Sequence, residues 1–463
     1  MNRSELRIVL ILSIALMLGF AGCRHQRFDD GGLIAESVDS LAYAGGAMTN
    51  FQSGAEAYQT LTAGFSSAAD SGRILFETSF TSNALSAFHG LGPTYNQTSC
   101  ISCHPGLGRA HPPQSELDPG SGLLLRLSLA GSNEHGGPLG VPEYGTQLQT
   151  NAIAGAFPEG ILIYTLSNIF ENYPDGQPYV LHQPGHTIVN PHAPLGNDVL
   201  QSLRLGSPVY GAGLLELIPE SEILERYDET DADANYISGR VNQCWDPVSQ
   251  TMRLGRFGWK AAAADIRHQT AMALAEDMGV NTAIYFPEDV SQGQSNVVGA
   301  TGESIQPASL VEQLHEYLRR ITVPAIRNTS DPLFARGRAL FYSIGCENCH
   351  RETLHTGASD IAALSNQTIH PYSDMLIHDM GEVLSDNRPD YAASTNEWRT
   401  PPLWGIGLSF IVNPDATFLH DGRATSIEEA ILWHGGEAHW SKEDFKQLSA
   451  EDRAAILFFL NSL

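Results

Sequence analysis

Apolar residues of this chain recur mainly at helical spacing, most clearly near its C-terminus. In residues 331–345 they fall on one face of a helix, and in 449–463 they recur at i, i+3, i+4 and i+7. Ser449 and Asp452 form a start signal for the second of these helices. The pattern therefore predicts a helix at each end of the segment 331–463.

Residues 260–279 and 309–327 predict two further helices, the second ending before Pro324. The long section before them is interrupted by many Gly and Pro residues, which favours loops and short elements. Its segment 221–243 is polar and acidic, and we expect it to be exposed. As a whole, the pattern predicts a mainly α protein with an irregular, loop-rich middle section.

The N-terminus is typical of a secretory signal. Two arginines precede an apolar run over residues 8–20, which is too short for a comfortable transmembrane helix. The Ala-Gly pair before Cys23 resembles a bacterial lipoprotein processing site. This predicts a signal peptide at 1–22, lipidation of Cys23 and a flexible tether at 23–70. The protein is then exported to the periplasmic side and held at a membrane by its lipid.

Charge narrows the choice of partners. The 463 residues include 26 Lys and Arg against 52 Asp and Glu, a net charge of −26. Such a surface argues against nucleic-acid binding and against adhesion to anionic lipid, so we expect membrane contact only through the lipid anchor. It favours a cationic redox partner, such as a small cytochrome, with an attraction that weakens in salt.

The candidate chemistry lies in a motif, Cys-x-x-Cys-His, that occurs twice. The copies are Cys100, Cys103 and His104, and Cys346, Cys349 and His350. The motif is typical of covalent haem c attachment, in which two thiols add to the haem vinyl groups and the adjacent imidazole binds iron. The histidine in both copies and the export signal favour haem over zinc. We therefore expect two covalently bound haem c groups.

A helix leading into this motif and a final helix packing across it is the layout of a class I cytochrome c. The segment 331–463 is therefore predicted to be a C-terminal cytochrome c domain, and 71–330 an N-terminal haem domain with long insertions. The predicted fold is mainly α, with two cytochrome c-like haem domains.

The distal ligand of the second haem is predicted to be His434. Thr425 and Glu428 form a capping box, so a helix begins there, and His434 closes its apolar face. Met380 is the rival ligand, and His378 is a weaker one.

The stretch 418–436 resembles the C-terminal signature of the bacterial di-haem cytochrome c peroxidases and the related methylamine-utilisation di-haem enzyme. In those proteins an HDG tripeptide precedes a helix that carries a Met or Tyr ligand. The resemblance places that ligand at His434, so histidine would be a departure and would give a bis-histidine haem of lower potential. Motifs such as GLGPTYNQTSCISCH and EWRTPPLWGIG more closely resemble the di-haem oxidoreductase family, also labelled thiol oxidoreductase. That resemblance runs from residue 70 to the C-terminus.

For the first haem, His89, His111 and His135 flank the motif, and each is a candidate distal ligand. In the peroxidase relatives the working N-terminal haem instead has an open site with a Gln and a Glu nearby. The resemblance implies that Gln149 and Glu159 fill these places and that Glu159 acts as a general acid and base. The alternative is that Glu159 is a solvated loop residue.

Other residues have two interpretations each. Arg126, flanked by leucines, is expected to pair with a haem propionate or an interdomain carboxylate. Trp259 and Trp433 either relay electrons or pack in the core. The peroxidase relatives hold calcium between their domains, but Asp415 and Thr417 stand where their Thr and Pro ligands are expected, a departure that leaves calcium doubtful.

Two functions remain open at this point. In the first, the chain is a di-haem c-type oxidoreductase, peroxidase-like, whose N-terminal haem reacts with a small oxidant or reductant while the C-terminal haem transfers electrons. In the second, both irons are fully ligated and the protein is a non-catalytic electron-relay cytochrome. The long middle section favours the enzyme, and the ligation of the first haem distinguishes the two.

Overall fold

The computed structural model describes residues 40–58, 66–114, 121–285 and 305–463. The predicted signal peptide and the lipidation at Cys23 lie outside these residues. Within them, no helix has the length and apolar character needed to cross a bilayer.

The α-helices are short and are scattered along the chain. They are α1 (Ser67–Glu77), α2 (Cys100–Cys103), α3 (Ala212–Glu216), α4 (Glu220–Ile223), α5 (Ile266–Met278), α6 (Ala308–Leu318), α7 (Pro332–Ser343), α8 (Ser409–Val412), α9 (Ile427–Leu432), α10 (His439–Gln447) and α11 (Ala450–Ser462).

The strands form small sheets. They are β1 (Thr49–Asn50), β2 (Thr94–Tyr95), β3 (Leu123–Ser132), β4 (Pro138–Leu139), β5 (Asn151–Ala152), β6 (Ile161–Asn172), β7 (Pro178–Val189), β8 (Leu200–Leu205), β9 (Gln243–Asp246), β10 (Thr251–Leu254), β11 (Val323–Pro324), β12 (Leu354–His355), β13 (Thr368–Ile369), β14 (Ile377–Asp379) and β15 (Glu397–Arg399). One described sheet has three strands, in the order β4-β3-β8, and the others pair two strands, such as β6 with β7 and β14 with β15.

The prediction of a mainly α protein is wrong. The structure is 30% helical and 21% strand. The largest missed element is the β6–β7 ribbon, whose antiparallel register pairs Leu166 with Pro184. Glycine and proline there favoured loops in the sequence. A two-stranded ribbon has only edge strands, however, so a proline that cannot donate a hydrogen bond is tolerated in it.

Two pairs of helices cross in the same way, one pair for each Cys-x-x-Cys-His motif. A Cβ added at Gly72 of α1 would lie 1.9 Å from the carbonyl oxygen of Gln313 in α6. A Cβ added at Gly337 of α7 would lie 2.0 Å from the carbonyl oxygen of Ala455 in α11. Each crossing therefore brings two helix backbones into contact, which only glycine allows.

The aromatic packing around the crossings is also repeated. Phe76 and Phe341 each follow the crossing glycine by four residues. Their ring centroids lie 6.2 Å from His104 and 6.3 Å from His350 respectively. The helices expected at the two ends of 331–463 are present, and the Ser449 hydroxyl caps α11 by accepting the N–H of Asp452 at 3.2 Å. The division into domains at residue 331 stays a prediction.

Strand β3 explains how an arginine can stand among leucines. Its side chains alternate, and Leu125 and Leu127 are fully buried in a satellite core. Leu124 and Arg126 point to the other face, towards the first motif. On the neighbouring strand β8, Arg204 lies opposite Leu124 in the antiparallel register, so the same face carries two arginines.

Candidate functional site

A cavity of ≈350 Å³ adjoins the first motif. Cys100, Cys103 and His104 form part of its wall, and β3, β8 and α5 supply much of the rest. Burial lowers the pKa of His104 to about 4, against a smaller opposing effect of the Ser207 backbone. The imidazole is therefore neutral at pH 7, the form that binds iron. Burial also raises the pKa of the Cys100 thiol to about 12, so this sulfur is not a thiolate.

Cationic side chains line the same cavity. They are Arg109, Arg126, Arg204, Lys260, Arg388 and Arg399. Three of these arginines each keep a buried nitrogen with no hydrogen-bond partner in the described part of the chain: Arg109 Nε, Arg204 Nη1 and Arg388 Nε. Buried donors are normally paired, so unpaired guanidinium nitrogens here fit the two propionates of a haem. The cavity thus suits a haem held by the first motif.

Two carboxylates at the end of α5 also line the cavity. Glu276 forms an ion pair with Arg126 and accepts the Thr146 hydroxyl at 3.3 Å. Burial raises the pKa of Asp277 to about 6, although Arg126 and the amide of Gln147 favour its charged form. The Gln147 amide nitrogen donates to Asp277 at 2.9 Å. Asp277 can therefore accept and release a proton close to neutral pH.

Gln149 and Glu159 lie against each other, but neither is among the residues that line the cavity. The backbone N–H of Gln149 donates to the Glu159 carboxylate at 2.7 Å. Glu159 is fully buried, so its interpretation as a solvated loop residue is wrong. The Gln149 side chain donates to the carbonyl oxygen of Glu276 at 2.7 Å, which connects the two residues to the cavity wall. Their catalytic role stays a prediction.

None of the three histidines near the first motif lines the cavity. His89 bonds to Gln306, His111 lies 3.3 Å from the Asn413 amide, and His135 stacks on Trp245 with ring centroids 3.9 Å apart. Among the described residues, His104 is the sole histidine in this wall. Met272 and Met278 also line the cavity, and their thioether sulfurs are further potential ligands of a haem iron.

The second motif lies close to a second imidazole. The Nδ1 atom of His350 lies 2.9 Å from the carbonyl oxygen of Tyr372, and Nδ1 of His434 lies 2.7 Å from that of Ala430. A carbonyl only accepts hydrogen bonds, so each Nδ1 carries the proton and each Nε2 keeps a lone pair for iron. The pKa of His350 is lowered to about 4, mainly by burial, with an opposing effect of the Tyr372 backbone and a smaller lowering effect of His434.

The rivals of His434 differ in their suitability. Both ring nitrogens of His378 are engaged, by Asp374 at 2.9 Å and by Glu437 at 2.6 Å. Burial alone would lower the pKa of His378, but its neighbours Cys349 and Asp374 raise it well above the usual value, so the ring is a poor ligand. Met380 remains a rival ligand because its backbone packs against the residue after His434. Its carbonyl oxygen lies 2.9 Å from the position that a Cβ on Gly435 would take.

Comparison with known proteins decides the family. A family model described as "Di-haem oxidoreductase, putative peroxidase" matches residues 192–463. This chain belongs to the di-haem oxidoreductase family. The resemblance inferred from its motifs is thereby confirmed, and the family implies haem as its cofactor.

Other comparisons add little. No curated protein matches the chain. A solved structure of hydrazine synthase from Kuenenia stuttgartiensis, pressurised with xenon, is 15% identical and covers 57% of this chain and 73% of its own, with a TM-score of 0.31. A likeness that weak carries no structural argument.

In this di-haem oxidoreductase, aromatic side chains lie between the two motifs. Trp259 lines the cavity and meets His420 edge-on at 6.4 Å. His420 stacks on Trp398 at 3.6 Å, and Trp398 pairs with His378 across β14 and β15. Among the tryptophans between the motifs, the sequence singled out Trp259 and Trp433 as candidate relays rather than Trp398. Asp415 is not part of a cluster of His, Cys, Asp and Glu side chains suited to a metal in the described residues, and calcium stays an untested expectation.

The carboxylates of the cavity were also missed from the sequence. Glu276 and Asp277 stand in a stretch of strong helix formers, where they look like ordinary surface residues. Gly279 marks the end of α5 in the sequence, but only the structure shows that the last turn of this helix packs against residues 92–97 beside the motif.

Proposed function

We propose that this protein is an exported, peroxidase-like di-haem c-type oxidoreductase. Its first haem, attached at Cys100 and Cys103, reacts with peroxide or a similar small oxidant. Its second, attached at Cys346 and Cys349, transfers electrons. One observation carries this proposal: the two motifs have different surroundings. His104 faces a cavity whose described wall holds no second histidine, whereas His434 lies close enough to His350 to lower its pKa.

Each residue around the cavity has a separate role in the proposed reaction. His104 would bind the iron of the first haem, and the arginines with unpaired nitrogens would hold its propionates. When bound, haem supplies the electrons that reduction of peroxide to water requires. Glu276 accepts a proton from one peroxide oxygen, and its ion pair with Arg126 orients that carboxylate. Asp277, in its protonated form, donates its own proton to the departing oxygen, which leaves as water, and Gln149 fixes the Glu276 backbone.

Electrons reach the second haem from a cationic partner, for which we propose a small basic cytochrome. The net charge of −26 supports this choice. Part of the acidic segment 221–243 lies beside the second motif, because Arg226 donates to the backbone carbonyls of Glu347 and Asn348. Glu225 in that segment has a side chain that is 57% exposed.

The location of the protein is proposed from the sequence. The basic and apolar N-terminus and the small residues before Cys23 support export, lipidation at Cys23 and anchoring on the periplasmic side. We expect a radioactive fatty acid to label the wild-type protein but not the Cys23→Ser variant. Retention of the label in that variant would contradict it.

Low-temperature EPR of the oxidised, haem-loaded chain tests the central proposal. We expect one high-spin and one low-spin signal, with the high-spin signal lost when hydrogen peroxide is added. Two low-spin signals that peroxide leaves unchanged, in both the oxidised and the half-reduced protein, would overturn the proposal and show an electron-relay cytochrome. Met272→Leu and Met278→Leu would then reveal whether a thioether closes the first site.

Covalent attachment is tested separately by mass spectrometry of the denatured chain. The mass should exceed that of the polypeptide by two haem groups, and Cys346→Ser with Cys349→Ser should remove one of them. A denatured chain without haem would show that the groups are not of the c type.

A further inference from the structure

The helix that leads to His434 is short and depends on side chains outside it. It spans only Ile427–Leu432, and isolated helices below about 12 residues are marginal in water. Its cap is Ser426, whose hydroxyl oxygen accepts the N–H of Glu429 at 3.0 Å. His434 lies two residues beyond the helix, so the direction of α9 determines where the imidazole lies.

The Glu429 carboxylate joins three parts of the structure and is only 3% exposed. Its Oε2 accepts the N–H and the hydroxyl of Thr425 at 2.8 and 2.9 Å. Its Oε1 accepts the indole N–H of Trp433, the residue next to His434, at 3.2 Å. Oε1 also accepts the backbone N–H of His182 at 2.6 Å, and the His182 ring nitrogen lies 2.9 Å from Oε2.

His182 belongs to β7, so this contact comes from a distant part of the chain. The β6–β7 ribbon reaches over α9 at a second carboxylate too, where the hydroxyl of Tyr173 donates to Glu428 at 2.8 Å. At the turn of the ribbon, Asp175 pairs with Arg453 of α11 at 2.7 Å. The ribbon therefore fixes α9 against the final helix.

We propose that Glu429 is a positioning residue for His434, and that it couples the β6–β7 ribbon to the distal side of the second haem. The proposal rests on His434 as the distal ligand. Glu429 holds the start of α9 through Thr425 and its end through Trp433, so it fixes both ends of the short helix. The groups that orient a ligating histidine set its ring plane and its bond to iron, which determine low-spin g values and reduction potential.

The experiment compares three variants of the haem-loaded, full-length chain. Glu429→Gln keeps the size of the side chain but replaces one accepting oxygen with an amide that only donates. Glu428→Gln is the matched control, since it removes the same charge one residue away and its amide oxygen still accepts from Tyr173. His182→Ala removes the ring contact from outside the helix and leaves α9 unchanged in sequence. EPR and redox titration of the second haem are the readouts.

We expect Glu429→Gln to shift the g values and the midpoint potential of the low-spin haem and to add a five-coordinate fraction. His182→Ala should shift them in the same direction by less, and Glu428→Gln should leave them at the wild-type values. Lower stability alone reduces the amount of folded protein but does not move the g values of the folded fraction. Unchanged signals in Glu429→Gln and His182→Ala, or equal shifts in Glu428→Gln, would overturn the proposal.

A fourth variant separates this proposal from the ligand assignment. His434→Ala should convert the low-spin signal of the second haem to high spin. If it does and Glu429→Gln has no effect, the positioning role fails while the ligand assignment stands. If His434→Ala leaves the spectrum unchanged, the ligand assignment itself fails, and Met380→Leu tests the rival.

Discussion

Glu276→Gln tests the chemistry of the cavity most directly. The variant keeps an oxygen that accepts from Arg126 but loses the carboxylate that takes up a proton. Positioned general acids and bases contribute about 10²–10⁴-fold to rate. Because Asp277 stays in the same wall, we expect the lower part of that range, a loss of about 10²–10³-fold in kcat/KM for peroxide. This corresponds to about 2.7–4.1 kcal/mol of transition-state stabilisation.

The same substitution should leave the protein folded. The side chains of Glu276 and Arg126 are 7% and 18% exposed, so the pair is largely shielded from water. A hydrogen bond to a charged group contributes about 1.5–3 kcal/mol, and the amide retains part of it. We therefore expect a loss of no more than about 2 kcal/mol in unfolding free energy. An EPR spectrum with both signals present would confirm that the haem sites are intact.

The assay is stopped-flow reduction of peroxide by the pre-reduced enzyme, and Glu159→Gln tests in parallel the carboxylate that the resemblance to peroxidases implies. Glu159 is a buried carboxylate that hydrogen-bonds to the cavity wall through Gln149 but does not line the cavity. Its variant should keep kcat/KM within roughly threefold of the wild type. If Glu276→Gln were as active as the wild type, or if Glu159→Gln lost as much, the carboxylate assignment made from the structure would be refuted.

Three further predictions concern Asp277, the crossing of α7 with α11, and the redox partner. Burial raises the pKa of Asp277 from 3.8 to about 6, so the folded state disfavours the charged carboxylate. The resulting loss of unfolding free energy is absent below pH 3.8 and complete above pH 6. Asp277→Asn should therefore raise the unfolding temperature more at pH 7.5 than at pH 4, and an equal effect at both would contradict the shift. Gly337→Ala gains about 1 kcal/mol of helix propensity. It also places a methyl group 2.0 Å from the carbonyl oxygen of Ala455, and overpacking costs about 1–3 kcal/mol or more. The unfolding temperature of Gly337→Ala should therefore fall. Gly54→Ala is the control and should leave it unchanged, because a Cβ added at Gly54 meets nothing within 4 Å. A higher unfolding temperature in Gly337→Ala would show that the two helices can move apart without cost. Electron transfer from a basic cytochrome should slow as ionic strength exceeds about 0.1 M, where the Debye length is about 10 Å. A rate independent of salt would remove the electrostatic argument for that partner.

Local signals in the sequence were sufficient where the chemistry itself is local. A Cys-x-x-Cys-His motif has fixed spacing, and a capped amphipathic helix such as α11 shows its start signal and apolar face within a few residues. The cap of α9 shows that such a local pattern can misplace the first residue of a helix by one position. The sequence favoured Thr425 with Glu428, whereas Ser426 is the cap and Glu429 bonds to Thr425, one residue further on.

Residues that meet across long separations were harder to predict. Arg126 and Glu276 are 150 positions apart, and neither has a local pattern that points to the other. The resemblance to peroxidases implied Glu159 instead, because the stretch that contains it resembles the distal region of that family, and its role stays a prediction. The β6–β7 ribbon was missed for another reason: its strands are mostly exposed, so they lack the strict alternation of buried and polar residues that marks a half-buried strand.

One available signal went unused, and it explains how the two haem units differ. GRILF at 72–76 and GRALF at 337–341 are near copies, and each supplies the crossing glycine and the phenylalanine near a motif histidine. In the second unit the motif begins five residues after that phenylalanine (346 minus 341), whereas in the first it begins 24 residues after it (100 minus 76). The first unit also has β3, β8 and α5 between its motif and its final helix, and these elements form much of the cavity wall. The second unit instead has α9, the helix that leads to His434, between its motif and its final helix. The same helix crossing therefore supports two outcomes: the inserted chain leaves a cavity beside His104, and the compact unit brings a second imidazole to His350.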